Sequence, residues 1–204
     1  MILSKILMLP GIILGLSLHE FAHAWMSNKL GDPTPKRQGR LTINPLAHID
    51  WVGFTALLLV GFGWGKPVQI DPRFYKKPRR DEFLVAIAGV TMNLIIAILL
   101  SFPTKALAKA YYAVGGSVLI ENIYLIFFYA VSINVVLMIF NLIPVPPLDG
   151  WGIVTQIFRL DRYDWWYKVY QYGTWILLAL IVLNVTDLIL TPLVRIVLTL
   201  LGVY

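Results

Sequence analysis

His19-Glu20-Phe21-Ala22-His23 is the stretch of the chain best equipped for chemistry. Residues four apart share one face of a helix, so both imidazoles can reach a single metal ion. The glutamate next to them is placed to act as a general base toward water. Zinc suits imidazole and carboxylate donors, and a catalytic zinc needs a third protein ligand and one open position. No third histidine follows closely. The candidates are therefore His48 and Asp149 and, less favourably placed, Glu82 and Glu121. The competing reading of the motif is a pair of hydrogen-bonded polar histidines near a membrane interface. Ionisable groups in an apolar helix are costly and usually functional, which favours the metal site.

Asp149 closes the segment Asn141-Leu-Ile-Pro-Val-Pro-Pro-Leu-Asp149-Gly150, where three prolines interrupt an apolar helix. Broken backbone at membrane depth is tolerated only where it is buried in protein or lines a water-filled cavity. A plain turn or helix cap is the alternative for Asp149-Gly150. Asn134 and Asn141 are seven apart and share a helix face. Asn141 is a candidate for stabilising an oxyanion or orienting a ligand, an interhelical hydrogen bond being the other reading. Asn93 reads as structural or near the site. His48 reads as substrate-facing or regulatory, or as the polar cap of a turn, rather than as a resting ligand.

The elements that must position these residues are membrane helices. The chain has 204 residues, of which 58% are hydrophobic and 14% charged, against roughly 45–50% and about 25% in soluble domains. Mean hydropathy is +0.74. Apolar runs at 2–18, 83–102, 119–143 and 174–204 approach or exceed the length needed to cross the hydrocarbon layer. The first run leads directly into the His-Glu cluster without a small-x-small cleavage signal, so it is expected to remain as a helix rather than be removed. Cysteine is absent, which excludes disulfides and Cys-based metal or nucleophilic sites. The net charge of +6 fits loops that face anionic lipid, and no pattern for nucleic acid stands out.

The expected fold class is all-α and polytopic. A first helix over Ile2–Asn28 carries Gly11 and Gly15 at a spacing suited to close packing. Short membrane-associated strands are expected at 40–44 and 66–70, around an apolar run, Trp51–Phe62, too short to cross comfortably. Ten basic residues lie between 29 and 80. They fall on one side only if 51–62 is re-entrant, and the positive-inside bias makes that side the cytoplasm. Crossings at Phe83–Phe102, Leu119–Ile143 and Gly173–Leu190 follow, with 192–204 as a short final element. This topology brings His19, His23 and Asp149 to a similar depth in the cytoplasmic half of the bilayer. The Trp and Tyr residues at 163–175 read as an interfacial belt.

With Ala88-Gly89-Val-Thr-Met-Asn93 and Gly39-Arg-Leu-Thr-Ile-Asn-Pro-Leu-Ala-His48-Ile-Asp, these motifs resemble the site-2 protease family of intramembrane metalloproteases (peptidase family M50), in its compact prokaryotic branch. The resemblance runs from about residue 11 to 155. It implies a three-helix catalytic core, about 1–155, with accessory helices in 156–204, in one membrane-embedded domain without a PDZ or CBS domain. It also implies one Zn2+ per chain on His19, His23 and Asp149, Glu20 as base, and transmembrane proteins as substrates in regulated intramembrane proteolysis. Val90 stands where the family commonly has proline. A regulatory partner or homo-oligomer is compatible with this reading. The rival classes are a catalytically silent scaffold binding transmembrane clients, which would not need Glu20, and a divalent-metal transporter, which would need ionisable residues along several spans.

Overall fold

The computed structural model describes residues 2–60, 63–113 and 115–204. Among the described residues eight α-helices follow one another: α1 (Ile2–Lys29), α2 (Thr34–Arg37), α3 (Trp51–Val60), α4 (Pro78–Ala113), α5 (Val118–Asn141), α6 (Asp149–Phe158), α7 (Asp164–Val182) and α8 (Val185–Leu200). Helices α1, α4 and α5 are long and apolar enough to cross a membrane. Only 39%, 33% and 28% of their most apolar windows are buried inside the protein. The remainder, including Ile95, Leu99 and Phe102, faces outward, which a bilayer accommodates and water would not. The protein is a membrane protein built on helices.

Helices α1, α4 and α5 form a three-helix core. Small residues let α1 approach α5: a Cβ on Gly11 would lie 2.6 Å from the Ala130 Cα. Ala97, Val131, Val135, Ile139 and Leu198 make the buried apolar cluster, and Leu190, Val194 and Val197 of α8 pack on it. Helix α5 ends where Leu142 begins the proline-rich turn, and α6 starts at Asp149. The expected broken helix is therefore present, and α6 is an element that the sequence reading left out.

Two expectations are corrected. First, no strand forms among the described residues; one isolated antiparallel bridge joins Ile49 and Gly65. Segment 40–48 instead folds back on itself. The Arg40 guanidinium donates to the Ala47 carbonyl and the His48 ring hydrogen-bonds the Thr42 carbonyl at 2.8 Å, so its backbone has no partner strand to join. The bridge, with the Lys66 N–H donated to the His48 carbonyl at 2.8 Å, draws together the two ends of the excursion that carries α3. Gly61 and Phe62, at the end of the apolar run expected to be re-entrant, lie outside the described residues. Second, the crossing expected at 173–190 is interrupted. Helix α7 stops at Val182, Asn184 adopts a left-handed conformation (φ 55°), and α8 leaves at 73°. Asparagine is among the few residues that adopt that conformation readily.

Candidate metal centre

His19 and His23 stand one turn apart on α1 and turn their imidazoles toward α4. Each Nδ1 is engaged there. That of His19 meets the Asn93 Oδ1 at 2.7 Å, and that of His23 meets the Val85 carbonyl at 2.8 Å. Both partners are acceptors, so both Nδ1 atoms carry the proton and both Nε2 atoms present lone pairs. Asn93 is in turn fixed: its Nδ2 donates to the Asn134 Oδ1 at 3.0 Å and to the Gly15 carbonyl at 3.2 Å. One buried asparagine thus ties α1, α4 and α5 together behind a histidine. Gly89 makes room for the rings, since a Cβ there would sit 2.7 Å from the His19 Nε2.

The turn after α5 brings Asp149 to the same point. Its Oδ2 lies 3.2 Å from the His19 Nε2 and 3.3 Å from the His23 Nε2, and the two Nε2 atoms are 3.0 Å apart. Oδ2 is buried and has no hydrogen-bond donor. Three acceptors facing one another at these distances repel unless a cation lies among them. Tetrahedral bonds of about 2.0–2.1 Å have ligand–ligand edges of roughly 3.3 Å, so the triangle fits zinc. These three residues form the one group of His, Cys, Asp and Glu able to hold a metal among the described residues.

The triangle opens into a cleft of about 570 Å³ lined by Glu20, Asn141, Glu82, Gln156, Trp166 and Tyr170, among others. Glu20 accepts the Val68 N–H at 2.9 Å. Val68 belongs to segment 66–70, which forms no regular element and whose Pro67 and Ile70 also line the cleft. Asn141 donates to the Leu137 carbonyl at 2.9 Å and has a second amide hydrogen to offer. His48 is fully buried, its ring hydrogen-bonds the Thr42 carbonyl at 2.8 Å, and it does not line the cleft. Glu121 does not join the metal group, and Glu82 lines the cleft without joining it.

Several participants were missed at sequence level. A backbone N–H such as that of Val68 has no residue-type signature. Trp166 and Tyr170 read as interfacial aromatics; Tyr170 is exposed, as are Tyr163, Trp165, Tyr167, Tyr172 and Trp175, yet Trp166 and Tyr170 also line the cleft.

The loop over the cleft is anchored by Asp32, which is fully buried. It accepts from the Ser27 hydroxyl, the Asp71 N–H and the Thr34 N–H, each at 2.8 Å. Burial alone would raise its pKa, but hydrogen bonds from Thr34, the Asp71 N–H and Ser27 outweigh that and hold the carboxyl below the usual carboxylate range.

The family model for peptidase family M50 matches residues 103–184, which include Asp149. "Putative zinc metalloprotease YwhC" of Bacillus subtilis is 37% identical over 184 residues, covering 90% of this chain and 84% of that protein. Rip2 of Mycolicibacterium smegmatis, which bears the same description, is 30% identical over 151 residues, 72% of this chain and 55% of its own length. Rip2 of Mycobacterium tuberculosis H37Rv is 29% identical over 160 residues, 76% of this chain and 58% of its own. The chain thus spans little more than half of the Rip2 proteins. No solved structure matches it. The His-Glu-x-x-His helix, the aspartate it meets and the similarity to YwhC over most of both chains agree: the chain belongs to peptidase family M50.

Proposed function

We propose that the protein is a zinc metalloprotease of the site-2 type, cleaving peptide bonds of transmembrane proteins in regulated intramembrane proteolysis. The observation that carries the reading is the convergence of three acceptor atoms, two Nε2 and one carboxylate oxygen, within 3.3 Å of one another beside Glu20. His19, His23 and Asp149 hold one Zn2+. When bound, zinc supplies a Lewis acid that polarises the scissile carbonyl and makes water acidic near neutral pH.

The remaining work falls to the chain. Glu20 takes a proton from the attacking water and passes it to the leaving amine. Asn141 turns an amide N–H toward the oxygen that gains charge. Asn93 and the Val85 carbonyl keep both imidazoles in the tautomer that leaves Nε2 free. Segment 66–70 supplies an edge along which an unwound substrate lies, by strand addition. The whole chain acts as one membrane-embedded domain, its catalytic core ending near residue 155. It sits in the cell membrane with several crossings and with its metal in the cytoplasmic half, a reading supported by the concentration of basic residues between 29 and 80.

The test is cleavage of a single-span reporter by purified protein in detergent, comparing wild type with Glu20→Gln and measuring bound zinc in both. The expected result is loss of cleavage with zinc retained. Stoichiometric zinc without cleavage by wild type would favour the silent scaffold, and absence of zinc from both would end the metalloprotease reading.

A further inference from the structure

Two of the three glutamates in the chain, Glu20 and Glu82, line the same cleft. The proposed chemistry uses only one of them. Glu82 is half-buried on α4, and its Oε2 accepts one hydrogen bond, from the Gln156 Nε2 at 2.7 Å. It has basic neighbours in sequence, but they are committed elsewhere. Arg80 pairs with Asp81 at 2.7 Å, while Arg79 donates to the Gln156 and Ile157 carbonyls at the end of α6. Among the described residues the ion pairs belong to Asp149, Asp71 and Asp81, and none to Glu82. A half-buried carboxylate with a single neutral donor, facing a cleft, is suited to receive a cation from outside.

The surroundings fit a side chain rather than a bare ion. Trp166 and Tyr170 wall the cleft and stack on each other with ring centres 5.4 Å apart. The Trp166 ring is fixed by donation to the Thr155 hydroxyl at 3.0 Å. Such a wall packs the methylene stem of lysine or the flat face of a guanidinium. Glu82, Val85 and Ala86 all line the cleft, and this face of α4 leads to Gly89 beneath the imidazoles. The seven residues from Glu82 to Gly89 amount to about 10 Å of helix, or about three residues of extended chain. Transmembrane segments carry Lys and Arg at their cytoplasmic ends, so a chain entering from that side has the matching charge.

We propose that Glu82 is a specificity-determining residue, the acidic end of a subsite for a lysine or arginine side chain about three residues from the bond that is cut. This rests on the protease reading of the cleft. The test uses the zinc-loaded enzyme and a series of otherwise identical single-span peptides. They carry Lys, Gln or Glu at successive positions on either side of a cut mapped by mass spectrometry. Wild type is expected to prefer Lys over Gln about tenfold in kcat/KM at one position, the scale of one charge-assisted hydrogen bond. Glu82→Gln can keep a hydrogen bond to Gln156 while losing the charge, so its Lys-to-Gln ratio should fall to near one with zinc still bound, whatever its absolute rate. Glu82→Lys should favour the Glu peptide. A preference unchanged in Glu82→Gln, or wild-type cleavage indifferent to Lys at every position, overturns the subsite and leaves the protease reading standing. No cleavage of any peptide by the zinc-loaded wild type overturns both.

Discussion

Asn93 accepts the Nδ1 proton of His19 and is itself held by Asn134 and Gly15. Asn93→Ala should therefore lower zinc affinity about 10–100-fold, measured by chelator competition, while Glu20→Gln should leave affinity intact and reduce cleavage about 10²–10⁴-fold. Gly89→Ala places a methyl group against both rings and should lose zinc to an extent comparable with replacing a ligand, because α4 backbone cannot retreat cheaply. The two histidines and Glu20 were legible because helical periodicity alone fixes their relation. Asp149 was legible because prolines mark a break that an all-apolar helix would not otherwise need. The role of Asn93 behind His19 was not, since it depends on a contact across 74 residues, and neither was the Val68 N–H on Glu20. Side-chain type announces ligands more clearly than it announces what holds them.

Segment 66–70, expected as a strand, forms no regular element and has no partner strand. A polar, proline-containing stretch next to glycines carries the composition of an edge, but composition cannot say whether a partner exists. Its placement at the cleft is held by Asp32, which accepts the Asp71 N–H and whose depressed pKa gives a signed prediction. A carboxylate depressed on folding adds stability that is complete above its ordinary value of about 3.9 and is lost as pH falls through the folded value. Wild type should thus loosen as pH drops below about 4, seen as protease sensitivity near residue 70. Asp32→Asn should show that sensitivity already at neutral pH and lose much of its pH dependence. Val68→Pro removes the N–H that Glu20 accepts. It is expected to reduce cleavage by about tenfold or more with zinc unchanged, and an equal loss of both would show that the segment serves only the fold.

At the scale of the molecule, three spans were readable from run length and charge, and the C-terminal third was not. Its apolar run, 174–204, is continuous in composition, and the bend at Asn184 follows from α8 packing on the cluster of Ala97, Val131 and Val135, a tertiary contact without local signal. The chain lacks cysteine, so single cysteines can report topology against a silent background. Lys36→Cys, Lys76→Cys and Arg162→Cys should be labelled from the cytoplasmic side of oriented vesicles, and Ser117→Cys from the other side; labelling of Lys36 and Lys76 from opposite sides would refute the re-entrant reading of α3. The bridge at the base of that excursion has a further consequence. Because Ile49 and Gly65 already meet, the two ends of the segment between them are pinned together whatever its length, loop-closure entropy changes only slowly with its size, and a tie from the core reaches it where the Lys5 ammonium donates to the Leu58 carbonyl at 2.6 Å. An engineer could exchange it for a graft that keeps that tie and binds the protein to a chosen membrane patch without touching a metal ligand.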